Sequence, residues 1–112
     1  MAVHGLGGDW EQTWTDPLTG KCWLRDFLPD QFPNSRTMSY GYDSAFVLSN
    51  SVADIDASAM ALNNRLDGER QSGAAKTPLI FVAHSLGGII VKRVRSIYHC
   101  LPAARLTHFS FP

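Results

Sequence analysis

Three features of the 112-residue sequence predict an α/β fold in which a parallel sheet carries helices on its faces. Segments of strand character alternate with segments of helix character, the pattern of parallel strands joined by helical crossovers. The run Pro78-Leu79-Ile80-Phe81-Val82 is continuously apolar, as a parallel strand buried on both faces is. Two predicted strands run directly into glycine-containing turns, Gly5-Leu6-Gly7-Gly8 and His84-Ser85-Leu86-Gly87-Gly88. Both turns then fall at carboxyl ends of strands, where open α/β sheets place their sites.

Residues 1–4 have the character of a strand end and 5–8 that of a glycine turn. Between 9 and 32 lie Trp10, Trp14 and Trp23, with turn signals at Asp16-Pro17 and Thr19-Gly20. This stretch is expected to be a loop and then a short helix over 23–28, stopped by Pro29, with the tryptophans as packing residues rather than a ligand platform. Residues 36–42 alternate and carry Thr37, Tyr40 and Tyr42, which predicts the second strand. Ser51 and Asp54 stand in the Ser-x-x-Asp relation of a capping box. From there Val52, Ile55, Ala59, Leu62 and Leu66 recur every three or four positions, so one apolar helix face is expected, ending near Gly68 or Gly73. Residues 76–83 form the third predicted strand. Gly88 is expected to open a helix whose face is Ile90, Val94, Ile97 and Leu101, ended by Pro102. Residues 106–111 alternate weakly, as a short strand or a ragged end. There are no internal repeats, low-complexity segments or linkers.

The totals narrow the function. Ten basic and ten acidic residues cancel, and no basic run occurs, so charge gives no support to nucleic-acid or anionic-membrane binding. Neither a cofactor motif nor a His/Cys cluster for a metal is present. The apolar stretches are too short to span a bilayer, and no basic start precedes an apolar run as in a signal peptide. With Cys22 and Cys100 as the two cysteines, a reducing, intracellular setting with free thiols is expected. The length suits one small domain, about half of the roughly 200–250 residues usual for large α/β architectures.

The stretch Ala83-His84-Ser85-Leu86-Gly87-Gly88 after an apolar strand reads as a nucleophile elbow. Such a turn is strained and needs very small residues two before and two after its serine; Gly87 meets this fully and Ala83 with one extra methyl. The bland alternative is an ordinary strand-to-helix turn. Against it stands Val3-His4-Gly5-Leu6-Gly7-Gly8, a His-Gly turn of the kind that forms the second wall of an oxyanion hole. Acyl transfer needs a nucleophile, a base and oxyanion donors. Ser85 is the nucleophile candidate, and the backbone N–H groups of Leu86 and Leu6 are the donor candidates. Gly5, Gly7 and Gly8 let the backbone curl close to a substrate, and His4 is expected to hold the turn. Phosphate binding by the glycines is disfavoured because no G-x-x-x-x-G-K-[ST] occurs. A base is harder to find. No Asp or Glu follows Ser85, and the downstream histidines are His99, on the departing helix, and His108 in the tail. A serine without its base loses on the order of a millionfold in kcat, so this chain alone is expected to be nearly inert.

These motifs resemble the serine-active-site-containing family of serine esterase or lipase-like α/β-hydrolases. The resemblance rests on 3–8, Thr13-Trp14-Thr15, Trp23-Leu24-Arg25-Asp26, the stretch from Arg36 to Asp43, and the stretch from Phe81 to Lys92. Similar domains stand at the N-terminus of large fungal receptors. The resemblance implies a partial α/β-hydrolase fold with the elbow after the third strand of this chain, Ser85 as nucleophile and a small-molecule ester or lipid substrate. It also implies peripheral association with mitochondrial or endoplasmic reticulum membranes, which composition does not show. Residues 1–93 are accordingly expected to be the N-terminal part of an α/β-hydrolase domain. Residues 94–112 do not resemble the family's continuation, and translated intron sequence or a frameshift is one origin for them. The rival functional class is a non-catalytic binding or signalling module that keeps the fold's pocket.

Overall fold

The computed structural model describes residues 1–45, 51–71 and 77–97, together with the backbone of 105–107. Strand β1 (Ala2–Val3) lies inside a four-stranded sheet, flanked by β2 (Ser39–Tyr40) and β3 (Ile80–Ala83), with β4 (Arg105–Thr107) beyond β3. All pairings are parallel, with Ala2 opposite Ser39 and Val82, and Val3 opposite Tyr40 and Ala83. Two longer helices follow β2 and β3: α3 (Val52–Arg70) and α4 (Leu86–Ile97). Two single-turn helices, α1 (Trp23–Asp26) and α2 (Leu28–Gln31), lie in the connection between β1 and β2. The predicted α/β class, a parallel sheet with flanking helices, is the observed one.

Strand pleating divides the core in two, because successive side chains point to opposite faces. Val3, Phe81 and Ala83 meet Ala59, Leu62 and Leu66 of α3 and Ile90, Val91 and Val94 of α4. Ala2 turns the other way, into a smaller cluster with Trp14, Cys22 and Leu24 that Val82 joins at its margin. This second layer does not reach Ile80, which is 53% exposed. The expectation of a third strand buried on both faces is therefore corrected: β3 is sealed on the α3/α4 side and only partly covered on the other.

Ser51 caps α3, its hydroxyl oxygen accepting the Asp54 N–H at 3.2 Å. The buried stripe of this helix is Ala59, Leu62, Asn63 and Leu66. Val52, predicted to belong to it, is 68% exposed. Asn63 takes an inward position by satisfying its amide locally, donating to Asp67 at 3.2 Å. Helix α4 starts at Leu86, two residues before the expected opening at Gly88. Its burial ends at Val94, and Ile97 is 40% exposed. Periodicity dictates which helix face turns inward but not how far the covering layer reaches, hence both misplacements. Arg93 joins the two helices through a two-pronged ion pair with Asp56, at 2.5 and 3.0 Å. Pro29 does not stop a helix; it lies in the first turn of α2, where its missing N–H costs nothing. Trp14 is buried against the edge of Trp23, while Trp10 is exposed. No helix among the described residues is long and apolar enough to cross a membrane.

Candidate active site

The site lies at the carboxyl ends of β1 and β3, where each strand breaks into its glycine-containing turn. At the end of β3 the chain reverses through Ser85, whose φ of 50° is in the left-handed region that side chains other than glycine rarely adopt. The turn closes through Gly87 N–H to His84 O at 3.0 Å and Gly88 N–H to Ser85 O at 2.9 Å, and α4 begins at once. Ser85 is exposed at the apex while Ala83 and Gly87 are buried beneath it. A Cβ on Gly87 would strike the Val3 carbonyl oxygen and come within 2.5 Å of the His4 carbonyl oxygen. The glycine thus lets the first turn of α4 rest directly on the backbone leaving β1.

The His-Gly turn meets the elbow at Gly5. A Cβ there would lie 2.8 Å from His84 Nδ1 and 2.9 Å from Ser85 Cβ, so backbone and serine are in close contact because Gly5 has no side chain. His84 N–H donates to Val3 O at 3.0 Å, continuing the β1–β3 ladder to the edge of the site. Gly7 has a φ of 66°, and Gly8 N–H returns to Gly5 O at 3.1 Å. The two sequence motifs are therefore one constellation in space. Leu6 is half exposed on the rim and Leu86 half buried behind Ser85.

His4 is buried, with its Nδ1 2.9 Å from Gly5 O and its Nε2 3.4 Å from the Tyr42 N–H. A backbone N–H can only donate, so Nε2 accepts and the ring proton sits on Nδ1, donated to Gly5 O. Both ring nitrogens are then engaged within the turn. Tyr42 stacks on the imidazole at 4.3 Å and donates its hydroxyl to His4 O at 2.8 Å. Burial, helped by the neighbouring Tyr40, pushes the Tyr42 phenol up to about 12. Ser44 is buried, and its Oγ accepts the Gly7 N–H at 3.0 Å. Tyr42 lies in the Arg36–Asp43 stretch that carries part of the resemblance, but neither it nor Ser44 is among the predicted site residues; their role comes from position just beyond β2.

The candidate bases His99 and His108 lie outside the described residues, as does Cys100. Cys22 is a free, buried thiol in the smaller core cluster. Among the described residues no group of three or more His, Cys, Asp or Glu side chains could hold a metal ion.

Comparison with known proteins finds homologues at low identity. The chain is similar to Protein SERAC1 of Danio rerio, 31% identical over 113 residues covering 84% of this chain. It is 27% identical to Protein SERAC1 of Mus musculus and 25% identical to that of Homo sapiens, again over 84% of this chain. The homologues are SERAC1 proteins. The chain spans 17% of the length of each of these curated relatives. No family model matches the chain, and no solved structure matches it.

Proposed function

We propose that this chain is the nucleophile-bearing part of a serine hydrolase of the α/β-hydrolase type, acting on carboxylic esters or lipids. The observation that carries the reading is the packing of Gly5 against a left-handed Ser85, which joins an exposed serine to a glycine turn whose Leu6 N–H has no acceptor among the described residues. In this reading Ser85 Oγ attacks the ester carbonyl carbon and loses its proton to a base, and the carbonyl oxygen becomes an oxyanion. The Leu86 and Leu6 N–H groups receive that charge, each such donor supplying about 2.7–4 kcal/mol of transition-state stabilisation. The amino end of α4 adds a favourable field. The alcohol then leaves, and water releases the acyl group from Ser85. The general base and its acid come from sequence outside the described residues, in keeping with homology to much longer proteins.

The test is competitive labelling of the folded chain with an alkyl fluorophosphonate, mapped by mass spectrometry. An oxyanion hole without its triad still retains about 10³–10⁴-fold of catalysis over water. Ser85 is therefore expected to be phosphonylated ahead of every other serine, and S85A to abolish that adduct. Labelling of Ser85 at the rate of the other serines would refute the hydrolase reading and leave the non-catalytic module.

A further inference from the structure

Three donors of the His-Gly turn have different fates. Gly8 N–H is held by Gly5 O at 3.1 Å, and Gly7 N–H by Ser44 Oγ at 3.0 Å. Leu6 N–H has no acceptor among the described residues. Peptide planarity makes this selection mechanical, since the Gly5 carbonyl and the Leu6 N–H belong to one plane and point in opposite directions. The Gly5 oxygen is drawn back into the turn by His4 Nδ1, at 2.9 Å, and by Gly8 N–H. Its N–H must then face the other way. The following plane, Leu6–Gly7, is pinned at its own N–H by Ser44.

Ser44 comes from a distant part of the chain, 37 positions from Gly7, and is only 5% exposed. A polar side chain is taken out of water here, and it spends its acceptor on one backbone N–H of the turn. Gly7 has a φ of 66° and open space where a Cβ would stand, so steric contact does not fix this part of the turn. The Gly8 N–H to Gly5 O bond closes the turn around the Leu6–Gly7 peptide, and the bond to Ser44 is what fixes that peptide's own N–H.

We propose that Ser44 is a positioning residue for the reaction at Ser85: by capturing the Gly7 N–H it locks the turn so that the Leu6 N–H is the one presented to the oxyanion. The inference rests on the hydrolase reading above. Tyr42 acts in the same arm, holding His4 by ring stacking and by its hydroxyl, so the strand exit from Tyr42 to Ser44 orients both consecutive peptide planes.

The experiment measures fluorophosphonate labelling of Ser85 in the full chain and in S44A and S44T. In the labelling step a bond forms between Ser85 Oγ and phosphorus, the phosphorus–fluorine bond breaks, fluoride departs and the hydroxyl proton passes to solvent. Misplacement of a catalytic group by about 1 Å costs about 10²-fold, so S44A is expected to lower the saturating labelling rate by that factor. The half-saturating probe concentration should not change. S44T, which keeps the hydroxyl, should restore the rate, and hydrogen exchange at the Gly7 amide should quicken in S44A alone. Should S44A fail to fold cooperatively, S44C, of similar shape but with a weaker acceptor, is read in the same way. A folded S44A or S44C that labels at the wild-type rate overturns the inference while leaving the hydrolase reading intact. Failure of wild-type Ser85 to label preferentially overturns both.

Discussion

Adding one methyl group at Gly87 is the sharpest perturbation of this fold. Glycine within a helix ordinarily disfavours it by about 1 kcal/mol relative to alanine, so G87A should be stabilising if helix propensity alone mattered. Space around Gly87 says otherwise. The new Cβ would collide with the Val3 carbonyl oxygen and stand 2.5 Å from the His4 carbonyl oxygen and 2.9 Å from the Val3 carbonyl carbon. These are main-chain atoms of β1, a strand paired on both sides, and of the residue directly after it, and no flexible side chain can yield. Overpacking typically costs about 1–3 kcal/mol, and an obstacle made of backbone belongs at the top of that range. The propensity gain offsets about 1 kcal/mol of it, leaving a net loss of about 2 kcal/mol. Gly68, in the last turn of α3, is the control, because nothing lies within 4 Å of its would-be Cβ. G68A should gain up to about 1 kcal/mol, the full helix-interior value being an upper bound in a last turn. The two variants should thus differ by about 2–3 kcal/mol, roughly thirty- to more than a hundredfold in folded-to-unfolded ratio, or about 8–12 °C in Tm for a domain of this size. Urea and thermal unfolding followed by circular dichroism measure this directly. A G87A variant as stable as the wild type would refute the close seat of α4 on β1 and, with it, the geometry assigned to the elbow.

Ser85 holds a left-handed φ of 50°, so S85G should raise stability by about 1 kcal/mol in urea unfolding while eliminating the fluorophosphonate adduct, and S85A should eliminate the adduct without the gain. Y42F removes the hydroxyl bond to His4 O and should cost about 1 kcal/mol. The Tyr42 phenol is raised to about 12 in the folded protein, so its contribution is complete below the ordinary tyrosine range near pH 10 and is lost as pH climbs toward 12. Wild-type stability should fall over that alkaline window more steeply than that of Y42F. Asp56 is the acid-side counterpart: its bonds to Arg93, and then that guanidinium's charge, hold its carboxyl below the usual range. That contribution is present above about pH 4 and disappears as pH drops through the folded value. D56N should therefore flatten the acid limb of a urea-midpoint profile, an effect that added salt should diminish.

What could be read from the sequence were features with a local cause. The tight turn from β3 into α4 was legible because its sterics are compressed into consecutive residues, Ala83 to Gly88, and the Ser51 cap because the bond spans one turn. The parallel sheet followed from the alternation of elements. Burial depth was less legible. Val52 and Ile97 obey the helical repeat, yet among the described residues both are exposed. Pro29 was misplaced because proline disfavours the interior of a helix but suits its first turn, and the sequence around it permits either. Tyr42 stood out only as part of the Arg36–Asp43 stretch that carries the resemblance, and Ser44 not at all, since each gains its role from partners 38 and 37 positions away.

The two-residue β1 also has a consequence for how the protein comes to exist. Met1 nitrogen donates to Ile80 O across 79 positions, and Val82 and His84 return bonds to Met1 and Val3. Such pairing has high contact order, and its loop-closure entropy must be met before any ladder bond is gained. Until β1 slots between its neighbours, Phe81 lacks its full cover and Gly5 is nowhere near Ser85. The packing of Gly5 against Ser85 therefore depends on closing the sheet and is not a local property of the turn, and, for a Ser85 that labels as proposed, the appearance of the adduct during refolding would serve as a clock for that closure.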